Sequence, residues 1–574
     1  MQAYTDMIVA TTKTLRLGSH DHQLQPFLSS LARDGPPRTP FQCLTIDGQL
    51  DCPTTAALLS NALRHHPSLS SIKLDIPAYN SPSKSPATVT ALAALPLLPR
   101  LTALHLSLCP PRPDEASATA AILNALATTI RALPRLQAFT AFVHHIHHPT
   151  RCPPSPTTST SRSKRRRVNP TPVHPSLDPT IAALSTASSL TQVDLSIRCP
   201  HTSVPCTGIC GAFLTLQDLR IGIEDCAATP WDAHGQCHPL PTAPLPALSM
   251  LKLHAGKPLE GRIIRDILDC ATLQPQLRSL SIDTPAVAES SLLHLQAHLG
   301  SLTLLRDLSI RIGGFLDVTL NGMHALLASP GQLPMLTRLD LLIAVTGPPP
   351  RAPDDNADIP SADVMCRPLL RLTQLQHLHC GVDIEDMRAM PDLQRHLVRS
   401  MLHEHHHLTS LHLNFALAMR ACMLAPHLSA LTALMHLDVA RVSCDAVGGV
   451  RECLARLTGL TYLSLRVSTF NAALLRCVGE CAADMPRLAT CSLGAWRDDH
   501  VGHGAVARDW PQGLLHLPRR GQYCLVEAVN DAVTVGEFQA VQEELERRGA
   551  TVESCCRGGI CGVLFRAHVR TPAL

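Results

Sequence analysis

Histidine is the residue type in this chain best suited to chemistry near neutral pH, and four histidines share one repeated setting. His377 and His379 stand two residues apart, and His412 and His436 follow in similar stretches, with Asp438 two residues after the last. Imidazole binds transition metals and changes its charge near neutral pH, so this set could form a metal site or a pH-sensitive docking patch. Because the chain holds 31 histidines, some occupy such positions by frequency alone. We favour contact with a protein partner over metal binding.

Other clusters of candidate ligands lack the spacing that a metal or catalytic site needs. The runs His144–His148 and His403–His407 are nearly continuous, and consecutive side chains on regular structure do not face one point. Cys206 and Cys210 lack the paired Cys-x-x-Cys knuckles of a zinc site. The chain has no glycine-rich phosphate loop, no His-Glu-x-x-His motif and no serine nucleophile elbow. We therefore predict no metal, no cofactor and no catalytic residues.

The four histidines lie in copies of a Leu-x-x-Leu-x-Leu hexad that recurs roughly every thirty residues. The second and third aliphatic residues alternate with polar ones, as in a strand with one buried face. Between hexads, stretches such as 53–63 carry leucines at helical spacing. The first aliphatic residues of the clearer hexads are Leu101, Leu190, Leu216, Leu248, Leu277, Leu305, Leu336, Leu375, Leu408, Leu434, Leu460 and Leu488. Looser copies begin at Phe41, Leu69 and Leu136, with a frayed copy at Thr12.

On the hexad and the length of the unit, residues 41–500 resemble the ribonuclease-inhibitor-like and F-box-associated leucine-rich repeats. The resemblance implies an α/β solenoid, a leucine-rich repeat horseshoe with a parallel concave sheet and a helical or irregular convex side. It also implies a macromolecular partner on the concave face. One repeat cannot bury its own apolar face, so we expect the repeats to stack into a continuous core.

The outward positions of the hexads are expected to line the concave face, with equivalent residues of neighbouring repeats about 4.8 Å apart. We predict that ten of these positions contact the partner. They are Lys73, Arg220, Lys252, Arg338, His377, His379, His412, His436, Asp438 and Tyr462. By the same geometry, Asp194 should pair with Arg220, and Asp307 with Arg338.

The sequence divides into five segments. We predict an N-terminal cap with a frayed first repeat (1–40), N-terminal repeats (41–148), an insert (149–179), the main repeat array (180–515) and a small C-terminal α/β cap (516–574). In the last segment we expect strands at 522–529, 551–554 and 562–569 and a helix at 535–548. A solenoid needs a cap over its last repeat, and a separate functional module is the alternative interpretation of that segment.

The insert is rich in proline, serine and threonine and holds almost nothing apolar, so we predict disorder there. Within it, Lys164, Arg165, Arg166 and Arg167 resemble a monopartite nuclear localisation signal, which an importin would bind as an extended peptide. A solvated run of charge is the alternative. Either interpretation requires the segment to be exposed.

Composition favours a cytoplasmic or nuclear protein. The start of the chain lacks a signal-peptide pattern, and no run of eighteen apolar residues occurs, so no membrane partner is expected. The 22 cysteines are irregularly spaced, which is typical of reduced, buried thiols. We do not expect a nucleic-acid partner, because the net charge is only +3 and aromatic residues make up only 3% of the chain.

Two classes of function remain. The first is a non-enzymatic scaffold that binds a protein on its concave face, and a substrate-receptor subunit of a ubiquitin ligase is a special case of it. That special case needs an adaptor-binding helix in residues 1–40, where no F-box pattern is recognisable. The second is a GTPase-activating regulator resembling the Ran GTPase-activating proteins. It needs an arginine or asparagine held at a loop edge, and the sequence singles out none.

Overall fold

Each Leu-x-x-Leu-x-Leu hexad of the chain leads into a β-strand that begins at the third residue of the hexad, in this computed structural model. The hexad at Leu336 leads into a strand from Arg338, and the hexad at Leu460 into a strand from Tyr462. The looser hexads follow the same rule, as at Phe41, whose strand begins at Cys43. The hexad is therefore the strand-forming part of each repeat.

The structure describes residues 14–17, 25–26, 28–29, 42–46, 53–77, 85–109, 116–144, 178–198, 213–223, 244–256, 261–316, 320–345, 367–384, 396, 398–400, 402, 405–443, 447–467, 469–495, 497–498, 502–503, 505–506, 523–530, 535–548, 551–559 and 562–570. The chain forms two compact units. One consists of residues 1–257 and 269–279, and the other of residues 258–268 and 280–574.

In the first unit, the described strands form a parallel sheet in which each strand pairs with the next one along the chain. They are β1 (Thr14–Leu17), β2 (Cys43–Ile46), β3 (Ser71–Pro77), β4 (Ala103–Cys109), β5 (Ala138–His144), β6 (Gln192–Arg198), β7 (Asp218–Ile223) and β8 (Met250–Ala255). The helices are α1 (Pro53–His65), α2 (Ser85–Ala94), α3 (Ala116–Arg131) and α4 (Asp178–Thr186), with a 3-10 helix at Leu95–Leu97. Helices that follow one another in sequence pack side by side. Helix α5 (Gly261–Thr272) has residues in both units.

The second unit repeats the arrangement. Its main strands, again paired in chain order, are β9 (Ser279–Thr284), β11 (Asp307–Ile312), β13 (Arg338–Val345), β14 (His377–Ile384), β15 (Ser410–Arg420), β16 (His436–Ser443), β17 (Tyr462–Val467), β19 (Thr490–Ala495) and β23 (Tyr523–Asn530). Short strands β10 (Val287–Ala288) and β12 (Phe315–Leu316) pair together, as do β18 (Thr469–Phe470) with β22 (Ala505–Val506) and β20 (Arg497–Asp498) with β21 (Gly502–His503). The helices are α6 (Glu289–Leu299), α7 (Leu320–Ala328), α8 (Ala421–Leu428), α9 (Val447–Leu454), α10 (Ala472–Ala483) and α11 (Val535–Arg547), with 3-10 helices at Pro330–Gln332 and Arg367–Arg371.

One face of each sheet is buried and the other is open to solvent. In β9, Leu280 and Ile282 are buried while Ser279, Ser281 and Asp283 stay partly exposed. The first leucine of the hexad is buried as well, and so is an apolar residue three positions before it in most repeats. Examples of these earlier residues are Leu302, Leu333 and Leu372. These side chains, together with helical ones such as Leu59 and Leu63, form the core.

The predicted α/β solenoid is confirmed, because strand–helix repeats stack through parallel strands in each unit. The helix expected at 53–63 spans Pro53–His65. Among the described helices, none combines the length and the apolar character needed to cross a lipid bilayer.

The C-terminal segment differs from the expectation in one respect. Its predicted strands and helix are present as β23, α11, β24 (Thr551–Gly559) and β25 (Gly562–Arg570). However, β23 pairs in parallel with β19 and so extends the main sheet by one strand. Strand β25 then pairs antiparallel with β23, and β24 pairs antiparallel with β25. The direction of the sheet thus changes only after β23.

A backbone carbonyl at the second hexad position holds neighbouring repeats in register. The backbone N–H groups of Thr337 and Arg338 both donate to the carbonyl of Arg306, at 2.8 and 2.9 Å. The Thr337 hydroxyl donates to the same oxygen at 3.2 Å. Other hydroxyls at the second hexad position donate in the same way to the carbonyl of the preceding repeat: those of Ser70, Thr102, Thr191, Ser249, Thr409 and Thr461. This bond explains why serine and threonine recur at the second position of the hexad.

Two adjacent leucines allow a test of this core. Leu305 is fully buried, whereas 49% of Leu304 is exposed. We expect Leu305→Ala to lower the free energy of unfolding by about 2–5 kcal/mol, because it leaves a cavity in the stacked core. Leu304→Ala should change it by less than about 0.5 kcal/mol. Urea unfolding followed by circular dichroism measures both, and equal losses would contradict the assigned strand register.

Candidate functional site

The outward side chains of strands β11 to β17 form a continuous polar surface, here called the sheet face. Two rows run across these strands in register. The first row consists of Asp307, Arg338, His377, Ser410, His436 and Tyr462. The second row consists of Ser309, Asp340, His379, His412, Asp438 and Ser464. All members of a row occupy the same position in their hexads, so the repeat itself brings them side by side.

The middle of the second row consists of two histidine–aspartate pairs placed back to back. His379 Nδ1 lies 3.0 Å from Asp340 Oδ1, and His412 Nδ1 lies 2.8 Å from Asp438 Oδ2. The two imidazole rings meet edge to face, with ring centroids 3.9 Å apart and an angle of 69° between their planes. Each imidazole is therefore oriented by a carboxylate on one side and by the other ring on the opposite side.

Further groups hold Asp340 in place. Its Oδ2 accepts hydrogen bonds from Ser309 Oγ at 3.1 Å and from Arg311 Nε and Nη2 at 3.2 and 2.8 Å. Burial of the Asp340 carboxyl raises its pKa, but the contacts with His379 and Arg311 outweigh burial and lower the pKa to about 2. Asp340 therefore stays ionised at all physiological pH values.

Asp438 is held in a similar way from the other end of the row. Burial acts to raise its pKa, and the contacts with His412 and the Ser464 hydroxyl, together with the nearby charge of Arg466, outweigh burial and lower the pKa. Both ends of the row thus present ionised carboxylates to the two imidazoles. Each carboxylate faces the Nδ1 atom of one imidazole.

The first row is more exposed and less tightly connected. The side chains of Arg338, His377 and His436 are exposed. Partial burial, followed by the charge of Arg338, lowers the pKa of His377. His436 lies against Tyr462, with ring centroids 6.3 Å apart. The four histidines predicted to converge therefore fall into two rows, and the described structure brings His379 and His412 into direct contact.

Three predicted residues lie on the open face of the sheet in the first unit. Each is the third residue of its strand and the fifth residue of its hexad: Lys73 on β3, Arg220 on β7 and Lys252 on β8. The strand register places them in one row with His105 and Asp194. Burial, followed by the charge of Lys73, lowers the pKa of His105, and burial raises the pKa of Asp194.

The expected charge pairs are lateral neighbours, but the ion pairs form elsewhere. Asp194 is in register with Arg220, yet the Arg220 guanidinium bonds Asp218, two residues earlier on its own strand, at 2.8 Å. That bond raises the pKa of Arg220. Asp307 is in register with Arg338, and the ion pair between those two strands joins Arg311 to Asp340 instead.

Several other candidate groups fall outside the described residues. They are the basic run Lys164, Arg165, Arg166 and Arg167, the cysteines at 206 and 210, and His145 to His148. Of the second histidine run, His405 is buried while His406 and His407 are exposed, so these side chains do not face one point. Within the described part of the chain, no group of three or more His, Cys, Asp or Glu residues is placed to hold a metal ion.

Sequence reasoning missed Asp340, Arg311, Ser309 and Ser464, although the signal for most of them was present. Asp340 occupies the fifth position of its hexad, as His379 and His412 do in theirs. Comparing equivalent positions across repeats would have placed it beside His379. Arg311 lies two residues beyond that position, and its bond to Asp340 depends on a side-chain conformation that the hexad pattern does not encode.

Comparison with known proteins adds little on function. No protein-family model matches the chain, and no curated protein matches it. Among solved structures, the chain is similar to one from the crystal structure of the Rad7 and Elc1 complex in yeast, with 12% identity and a TM-score of 0.33. That match covers 85% of this chain and 84% of the other. At this identity and TM-score, the likeness supports no argument about function.

The lowered pKa of Asp340 predicts an acid dependence of stability. A carboxyl with a depressed folded-state pKa contributes stability above its unfolded value near pH 4, and this contribution is lost as pH falls through about 2. In Asp340→Asn this contribution is missing, so its unfolding free energy should lie roughly 2 kcal/mol below wild type at about pH 5, with the gap narrowing towards about pH 2. Urea unfolding at a series of pH values measures the gap. Glu452→Gln, which alters an exposed carboxylate on α9, is the control, and a pH-independent gap for Asp340→Asn would refute the prediction.

Proposed function

We propose that the protein is a non-enzymatic interaction scaffold that binds a protein partner on the concave sheet face of a leucine-rich repeat solenoid. The observation that carries the proposal is the open sheet face, where strand after strand presents partly exposed polar side chains in register. An extended polar surface of this kind suits a macromolecular partner better than a small molecule, because specific protein interfaces involve about 20–30 residues a side.

The leucine-rich repeat assignment rests on the repeat itself. A strand begins at the third residue of each hexad. In most repeats a buried apolar residue lies three positions before the first residue of the hexad. Parallel strands with helices in the second half of the unit support the ribonuclease-inhibitor-like class, in which the strand side is the usual binding surface.

The order of side chains in the second row favours binding over catalysis. Nucleophilic catalysis of the serine type needs a hydroxyl beside an imidazole and a carboxylate behind it. Here the hydroxyls of Ser309 and Ser464 lie against the aspartates, and the imidazoles of His379 and His412 lie against each other. The row therefore orients two imidazoles firmly and leaves neither beside one of these hydroxyls.

We propose that the C-terminal segment caps the array. Strand β23 continues the parallel sheet after β19, and the antiparallel pair β25 and β24 then occupies its edge. The antiparallel strand β25 covers the edge of the last parallel strand and ends the parallel repeat.

Site-directed photo-crosslinking tests the binding face. A photo-reactive amino acid in place of Tyr462 on the sheet face should crosslink a discrete partner in cells, because that position lies within the proposed contact surface. The same amino acid in place of the exposed Glu452 on helix α9 should not. Equal crosslinking at both positions, or a partner captured only at Glu452, would contradict the proposal.

The identity of the crosslinked partner separates the special cases. A cullin-type adaptor and its substrate would mark a substrate-receptor subunit of a ubiquitin ligase. A small GTPase would favour the GTPase-activating alternative, which turnover of GTP by that partner would then test. Any other single protein captured through Tyr462 leaves the general scaffold role as the function.

We also propose that an importin binds Lys164 to Arg167. Four consecutive cations in a segment rich in proline and serine support that role. Changing all four to alanine should move the protein from the nucleus to the cytoplasm, as judged by fluorescence imaging of the tagged chain. An unchanged distribution, with crosslinking through Tyr462 intact, would leave this segment as a solvated run of charge.

A further inference from the structure

The two imidazoles at the centre of the second row each direct one ring nitrogen to a carboxylate. Because Nδ1 of His379 contacts Asp340 and Nδ1 of His412 contacts Asp438, the Nε2 atoms are the polar positions left for a ligand. About a third of each histidine side chain is exposed, 30% for His379 and 35% for His412, so both rings can be reached from solvent. The pair is oriented, partly open and held from both sides.

The positions immediately around the ring pair bring no further carboxylate to it. On strand β14, His379 stands between His377 and Gly381, and on β15, His412 stands between Ser410 and Asn414. These neighbours offer a hydroxyl, an amide and an imidazole. A Cβ at Gly381 would meet Leu342 Cδ2 at 2.5 Å, so a leucine side chain closes that end. The surroundings suit the hydrogen-bonding needs of a small oxygen-rich group.

The charges that face the pair depend on protonation. Asp340 and Asp438 balance one protonated ring each, and Arg311 adds a cation that bonds Asp340. Arg338 on β13 and Arg466 on β17 add exposed positive charge. Asp307 and the imidazoles of His377 and His436 are the further charged or titratable groups of the first row. When both central rings are protonated, two cations stand 3.9 Å apart and the surface carries a surplus of positive charge.

We propose that the His379–His412 pair is a binding site for an anionic oxygen group, a carboxylate or a phosphate, carried by the partner protein. Such a group accepts from both Nε2–H donors at once and relieves the repulsion between the protonated rings. The inference deepens the proposed function, on which it rests, by naming the chemistry that the sheet face recognises. Since anion binding and protonation favour each other, the site binds as pH falls and releases as pH rises.

A metal ion is the competing ligand, and the structure distinguishes the two. Imidazoles backed by carboxylates are common metal ligands, but the described residues supply only two nitrogens and no third ligand. The pH dependence is also opposite, because a metal binds neutral imidazole and so binds more tightly as pH rises. An anion requires the protonated form.

The experiment uses the full chain with isotope-labelled histidine rings and follows their NMR signals. Sulfate, whose charge is constant across the range, stands in for phosphate, and acetate stands in for a carboxylate, both at fixed ionic strength. The signals of His379 and His412 should shift saturably with at least one anion. The dissociation constant should rise as pH rises, because each ring must carry a second proton to donate from Nε2 while Nδ1 faces its aspartate. Response to sulfate alone indicates a phosphate ligand, and response to acetate alone indicates a carboxylate.

Matched variants identify the site. His379→Gln and His412→Gln should each abolish the saturable response while the circular dichroism spectrum stays native. The control removes the other described histidine ring pair, His294 and His298 on helix α6, whose centroids are 6.1 Å apart, and should leave the response intact. The proposal is overturned if no saturable shift occurs, if both glutamine variants still bind, or if zinc shifts the two signals and binds more tightly at higher pH.

Crosslinking through Tyr462 separates this inference from the proposed function. If His379→Gln retains the crosslinked partner and anions do not bind the wild-type chain, the scaffold role stands and the anion site is wrong. If neither the wild-type chain nor His379→Gln crosslinks a partner through Tyr462, the scaffold role is wrong, regardless of whether sulfate or acetate binds.

Discussion

The backbone carbonyl at the second hexad position is the constraint on which the rest of the structure depends. The Arg306 carbonyl, for example, accepts hydrogen bonds from two N–H groups and from the Thr337 hydroxyl of the next repeat, so the start of each strand is fixed relative to its neighbour. Strand side chains alternate between faces, so a slip of one residue would bring Leu339 to the open face and bury Asp340. The buried leucines and the carbonyl bonds therefore enforce the same register. A row of functional side chains across several strands can exist only because that register is exact from repeat to repeat.

The second row shows what such a register can build. No single strand carries more than a few polar side chains, yet six strands together place Ser309, Asp340, His379, His412, Asp438 and Ser464 in one line. The aspartates lie further from solvent than the imidazoles, since 14% of the Asp340 side chain is exposed against 30% of His379. The carboxylates thus act as supports and the rings as the groups that a ligand meets. The contacts of the Asp340 carboxylate stabilise the fold, and they also orient the His379 ring.

Periodicity accounts for how much of this could be read from the sequence. A hexad fixes both where a strand begins and which side chains share its open face, so the solenoid, the strand starts and the placement of His379 beside His412 follow from counting. Strand β23 was missed as part of the main sheet because the residues before it, Gly521 and Gln522, lack the leading leucine of the hexad. Side-chain partners were also out of reach. Arg220 has one carboxylate on the preceding strand and another two residues earlier on its own strand, and only rotamer geometry selects Asp218.

The same geometry sets the order in which the two pairs of Asp and His lie along the second row. Lateral neighbours in a parallel ladder are the groups that a side chain can touch, so the order along the row decides the chemistry. With carboxylates on the outside and imidazoles in contact, each ring faces an aspartate at Nδ1 and meets a second ring of the same charge when both are protonated. The favourable way to relieve that repulsion without losing either proton is an external anion. Exchange of Asp340 with His379 along the row would separate the rings and remove that tendency, although the composition of the surface would be unchanged.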